Sequence, residues 1–281
     1  MNLATREEPK RFFLTVLLVC GVILTPVSTR AHVLMGEHIL DLMVQALGRA
    51  DALETSQSLT IHATPPLPPV STLQETVRIR FPYDFRADAI GDGYQRQMLL
   101  SGSTTLVAVN GVLQDGPPPR YLRYADILMA KPRQALTDYL RMIGIDVTVS
   151  SLGRFDDHYC YVVGARYPNE NAAQLWVDKN SFLPVRLMLP PAALAPADGS
   201  IEIRYRNWRL TDGTAYPMHV IMMQNHQIME EIRVERLLVN PEITNDLFDI
   251  RALRQEWSRP AATIDDAAGG RPESPAPPPF E

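Results

Sequence analysis

The sequence predicts a mainly β fold of the α+β class, organised around one large antiparallel sheet. Three observations predict it. Many short segments alternate apolar and polar residues, brief turn signals join most of them, and only two stretches carry helical periodicity. Strands linked by short turns pair as antiparallel neighbours, whereas a parallel sheet needs a long crossover between partners.

Taken in chain order, the first segment reads as an export signal rather than as part of the fold. Lys10 and Arg11 precede an apolar run from Phe12 to Leu24, Pro26 stops it, and Thr29 and Ala31 fit the small-residue pattern of a cleavage site. The signal is therefore placed at 1–31, the folded domain at 32–254 and a Pro/Ala-rich tail at 255–281. The mature part opens with a helix from Gly36 to Leu47, where Ile39, Leu42, Met43, Ala46 and Leu47 share one face and Gly48 supplies the stop. A stiff loop follows at Pro65–Pro69. Leu73–Phe81 alternates, with Leu73, Glu75, Val77, Ile79 and Phe81 on one face and Gln74, Thr76, Arg78 and Arg80 on the other. Tyr94–Leu100 and Thr104–Val109 read as further strands. Pro132, a favoured first-turn residue, opens a second helix that runs to Ile143 and stops at Gly144.

The remaining strand candidates are Val147–Leu152, Tyr159–Ala165, Gln174–Val177, Val185–Leu189, Ile201–Trp208, His219–Gln224 and Ile228–Leu238. Turn residues separate them at Asp156-Asp157, Asp178-Lys179-Asn180, Asp198-Gly199 and Asp212-Gly213. His219–Met223 is apolar on both faces except at His219, so that strand is expected to be covered on each side. The tail has too few apolar anchors to fold and reads as disordered.

Composition narrows the function. With 46% hydrophobic and 21% charged residues the chain is globular, and a net charge of -5 gives no cationic surplus for phosphates, so nucleic acid is not an expected partner. Removal of Cys20 with the signal leaves Cys160 alone, a buried apolar filler between Tyr159 and Tyr161 rather than a nucleophile. The histidines at 32, 38, 62, 158, 219 and 226 offer no ligand pair at helical spacing, so no metal and no cofactor is expected. Gly91 and Gly93 open a GxG whose third glycine is replaced by Arg96, and no GxSxG occurs; no catalytic residues are assigned and the chain is read as not an enzyme. Met188, Met218, Met222, Met223 and Met229 suit either an irregular core or a surface that adapts to apolar ligands.

Three segments carry a family resemblance: Leu175–Leu187 with its W-x-D-x-x-x-x-x-P turn, Tyr205–Pro217 with D-G-x-x-Y-P, and Val239–Phe248 with N-P…F. Their order resembles the periplasmic lipoprotein-carrier (LolA/LolB-like) superfamily, most specifically across Leu175–Phe248. The resemblance implies a large antiparallel half-open β-barrel whose concave face is partly covered by two or more helices and accommodates acyl chains of a lipid or lipoprotein. It also implies a monomer in the periplasm of the cell envelope, acting in transport. The same fold serves as a sensor or protein-interaction module, with other envelope proteins as partners. Pro184 and Pro217 fit strand beginnings, and Phe248 fits the seal of a barrel end. Candidate residues for the apolar cavity are Leu187, Leu189, Ile203, Val220, Met222 and Val234, with Arg78 and Arg80 candidates for an anionic headgroup at the rim.

Overall fold

The computed structural model describes residues 33–62, 71–91, 93–116, 122, 124–191 and 199–257. The export signal, the Pro65–Pro69 loop and the tail beyond Trp257 lie outside them. Helix α1 (Gly36–Leu47) leads into β1 (Ala52–Ile61), β2 (Ser71–Arg80), β3 (Asp84–Gly91), β4 (Tyr94–Ser101), β5 (Thr104–Val109) and β6 (Val112–Leu113). Two helices follow, α2 (Asp126–Met129) and α3 (Arg133–Met142), and then β7 (Ser150–Phe155), β8 (His158–Val163), β9 (Gln174–Asp178) and β10 (Pro184–Leu189). The long strands β11 (Ile201–Thr211), β12 (Thr214–Gln224) and β13 (Gln227–Val239) precede a 3-10 turn (Asn245–Phe248) and helix α4 (Ile250–Trp257).

All 13 strands form one antiparallel sheet in the order β6-β5-β4-β3-β2-β1-β13-β12-β11-β10-β9-β8-β7. The first strand therefore pairs with the last at the centre, while β6 and β7 remain as separate edges. The sheet curls without closing, which is the half-open β-barrel that the sequence implied. Most hairpin connections are short because antiparallel neighbours need only a turn, the longer ones being β1–β2, β8–β9 and β10–β11, and the tight turns sit where residues tolerate positive φ: Asn110, Asp156, Asp157, Asp212 and Asn225 all adopt it.

The periodicity of two assigns the faces. The ladder pairs Leu187 with Ile203, Ile203 with Met222, Tyr205 with Val220 and Val220 with Ile232, so these side chains share the inner face. Ile232 continues it to Leu59 and Leu59 to Leu73. Helix α1 lies against this face, burying Ile39, Leu40, Met43 and Leu47. Gly48 ends it with φ 80, and a Cβ there would stand 2.0 Å from the carbonyl oxygen of Gly213. Only glycine permits that approach. The α2 region is held down by Tyr205, whose hydroxyl donates to the carbonyl of Tyr124 at 2.8 Å.

The opposite face is covered towards both edges of the sheet. At the β7–β10 side Cys160, Val162 and Trp176 are buried with Phe155, Ala165 and Val185, and the other side is covered by the C-terminal elements. Leu99, Leu106 and Ala108 from β4 and β5 pack against Phe248, Leu253 and Trp257 of the 3-10 turn and α4. The helix thus runs past the domain boundary expected at 254, and buried Trp257 anchors its last turn. Phe248 packs on this outer face.

Several expectations need correction. The strand placed at Val147–Leu152 begins instead at Ser150, because buried Val147 sits beneath Gly36 of α1 rather than in the ladder. Pro184 does open β10, but Pro217 lies inside β12; the β12–β13 ladder starts only at His219, so the missing N–H at Pro217 falls where β12 is paired with β11 alone.

Candidate functional site

The inner face has two chemically distinct halves. The first is apolar and built from β10, β11 and β12. Leu187, Leu189, Ile203, Val220 and Met222 all stand on it, and all five are buried, Met222 and Ile203 at 0% and 1% exposure. Val234 lies on the same face of β13, opposite Gln57, and is half-buried. The six residues chosen from sequence are therefore brought together on one side of the sheet, beneath α1 and the α2 region.

The two rim candidates are not brought to them. Arg78 and Arg80 alternate with Val77 and Ile79 and so project from the outer face. Arg78 donates to Glu54 at 2.8 Å and to Asp88 at 3.3 Å. Arg80 is bonded to Asp84 and Asn245 and lies over the Phe248 ring, 4.8 Å from its centroid. Both guanidinium groups are committed to the outer surface, on the wrong side of the sheet for a headgroup belonging to the inner cavity.

The second half of the inner face is polar, and the choice of candidates from sequence overlooked it. Thr55 donates to Gln57 at 2.9 Å, Gln57 donates to Glu75 at 2.6 Å, and Arg96 grips both oxygens of Glu230 at 2.5 and 3.0 Å. Arg96 also approaches Glu75 at 3.7 Å. Burial pushes the Glu75 carboxyl above its ordinary range, against the opposing pull of Arg96. The hydroxyls of Tyr124 and Tyr216 are buried within reach of Gln57 and Thr55 without closing a well-formed hydrogen bond, and burial raises both phenols. One signal for this cluster was present in the sequence: Glu75 alternates in phase with Leu73, Val77 and Ile79, a charge on an otherwise apolar face.

Two openings adjoin the sheet. A mouth of about 220 Å³ lies between the strand ends and the covering helices, lined by Pro82, Leu100, Met129, Lys131, Ala135 and Tyr139 among others. A wider depression of about 560 Å³ lies at the β7–β8 and β9–β10 turns, lined by Phe155, Asp156, Asp178, Arg206 and Trp208 among others. The Arg206–Asp156 ion pair crosses it, and none of the six apolar candidates lines it. Among the described residues no group of three or more His, Cys, Asp or Glu could hold a metal ion, and no helix is long and apolar enough to cross a membrane.

No protein-family model matches the chain, and no curated protein matches it in sequence. In three dimensions it is similar to a LolA superfamily protein from Nitrosomonas europaea, at 13% identity over 78% of this chain and 99% of that one, with a TM-score of 0.52. It is also similar to a DUF1329 family protein from Desulfovibrio piger, at 12% identity over 78% and 97% of the two chains, with a TM-score of 0.51. The likeness at this identity is one of fold.

Proposed function

We propose that this chain, which shares the LolA-superfamily fold, is a non-enzymatic periplasmic binder or carrier of acyl chains from a lipid or lipoprotein. The observation that carries the reading is the single apolar surface formed by Leu187, Leu189, Ile203, Val220 and Met222, continuous across three strands and roofed by helix α1 and the α2 region rather than by a second sheet. Apolar ligand surface buried there gains roughly 25 cal/mol per Å². The basic-then-apolar N-terminus supports export, and Val234 extends the surface towards β1.

Native mass spectrometry of the mature protein, purified gently from the periplasm, tests this directly. Bound phospholipid or lipopeptide is expected, and its loss in a folded Met222→Asp variant would place it on this face. A mass that stays free of lipid even when lipid is offered refutes acyl binding and leaves the alternative, a sensor or protein-interaction module on the same fold.

A further inference from the structure

The search for a headgroup site begins with the cations. Arg78 and Arg80 are spent on the outer face, Arg96 is held by Glu230 inside, and Arg133 pairs with Glu37 and Asp41. Lys131 differs from all of these. Its Nζ donates to the carbonyl of Gly48 at 2.8 Å and sits 4.2 Å from the centroid of the Phe81 ring. Both contacts are to neutral groups. Burial alone lowers its pKa to about 8, with no carboxylate offsetting the loss.

Lys131 also lines the mouth at the end of the half-barrel. The walls there are mixed: Pro82 and Leu100 with Ser103 and Thr105 on the sheet side, Met129, Ala130 and Ala135 on the helix side. Leu100 and Thr105 also line a second, much smaller void deeper in, together with Phe85, Met98 and Leu122. Leu100, Thr105 and the buried Asp126 are common to the mouth and this void, so the route from the cation towards the inner face is apolar on its sheet side and passes one carboxylate on its helix side. The other titratable groups at the mouth are Asp126, which has an interaction of its own, Tyr83 and Tyr139.

We propose that this mouth is an anion-selective headgroup port, in which Lys131 holds the phosphate or carboxylate of an amphiphile whose chains pass inward along Leu100 and Met98. The proposal rests on the acyl-binding reading and adds to it the charge of the ligand and the residue that reads it. A partly buried ammonium with only neutral partners gains a charge-assisted hydrogen bond when an anion arrives, which is worth roughly ten- to a hundredfold in affinity. The same contacts to Gly48 and Phe81 pin the C-terminal end of α1, so an anion at Lys131 would be sensed where the helical cover meets the sheet.

The test compares dioctanoyl phosphatidate with dioctanoylglycerol, which carry identical chains and differ by the phosphate, using calorimetry on the full mature protein and on Lys131→Gln. Inorganic phosphate alone forms a third arm. Phosphatidate is expected to bind at least about tenfold tighter than the glycerol, and K131Q to bring the two probes to equal affinity. The preference should also fade in the unmodified protein as pH rises above about 8, because Lys131 then loses its proton while the phosphate only gains charge. Should K131Q fail to fold, this pH profile and a charge-retaining K131R decide the matter. Equal binding of the two diacyl probes overturns the port and leaves acyl binding standing; binding of neither overturns both. Lys131-dependent binding of inorganic phosphate without either amphiphile overturns the amphiphile assignment in favour of a free-anion site.

Discussion

Replacing Arg96 by Met removes the one cation from the polar half of the inner face while keeping much of its stem volume. Glu230 is 3% exposed and Glu75 4%, and Arg96 meets both oxygens of the first and approaches the second. Deleting one member of a buried ion pair strands the other, at a cost of about 3–5 kcal/mol. Here two carboxylates are stranded together, so the upper part of that range applies. For a domain of this size each kcal/mol moves the melting temperature by roughly 2–4 °C, so about 4–5 kcal/mol gives a loss of roughly 8–20 °C. Thermal unfolding followed by circular dichroism reads it. The sign with pH follows from the carboxyls. Without Arg96 the folded-state pKa of Glu75 rises further above its ordinary 4.5. An acid whose folded pKa is raised contributes stability below its unfolded value and loses it as pH climbs, so the deficit should be large near pH 7 and shrink towards about pH 4.5. A variant within about 1 kcal/mol of the parent near pH 7, with no dependence on pH, would refute the buried network.

Glu75→Gln removes the carboxyl with the raised pKa but keeps an oxygen for Gln57; it should match or exceed the parent in urea stability near pH 7, with the difference closing as pH falls towards about 4.5. A marked loss near pH 7 would show that the charge itself is required. Trp257→Ala should cost about 3 kcal/mol, the low end for a buried Trp because the end of α4 can readjust, seen as a lower urea midpoint; an unchanged midpoint would detach α4 from the fold. Cys160 is wholly buried with its thiol pushed up to about 12, so the native protein should resist a disulfide-exchange reagent near pH 8 and react fully once unfolded. Rapid native labelling would contradict its position.

The strands that alternate cleanly were legible: β11, β12 and β13 carry Ile203, Val220, Met222 and Ile232 in phase, and the apolar half of the inner face could be chosen from them. β1 was not, and the reason is physical. Its inward positions include Thr55 and Gln57, which belong to the buried polar network, so the hydrophobic alternation breaks where the strand is best enclosed. β3 escaped because small Ala87 and Ala89 face inward while Arg86 and Asp88 bond to each other outside. Helix α4 buries Leu253 and Trp257 and partly covers Ile250, too few to stand out against its exposed face. Arg96 and Glu230 are 134 residues apart, and Lys131 meets Gly48 and Phe81 only through the fold, so no local pattern announced either site.

The closed inner face also bears on what kind of ligand suits it. Ile39, Leu40 and Met43 of α1 are at 0% exposure, and each buried side chain of this type contributes about 1.5–3 kcal/mol. Lifting that face off the sheet therefore forfeits on the order of 5–9 kcal/mol, before any relaxation. A chain buried in its place returns about 0.8 kcal/mol per CH₂, so one chain of about ten carbons does little more than offset the displaced helix. On the acyl-binding reading, a second chain, or an anion at Lys131 pulling on the junction between Gly48 and the sheet, would supply the surplus that makes binding net favourable. On the acyl-binding reading the polar half has a complementary part: Arg96, Glu230, Glu75 and Gln57 are bonded to one another across β1, β2, β4 and β13, so the central strands stay rigid whether α1 is seated or lifted. Cover and floor then respond differently to a ligand, since the cover is held by apolar contact that a chain can replace and the floor by ion pairs that it cannot.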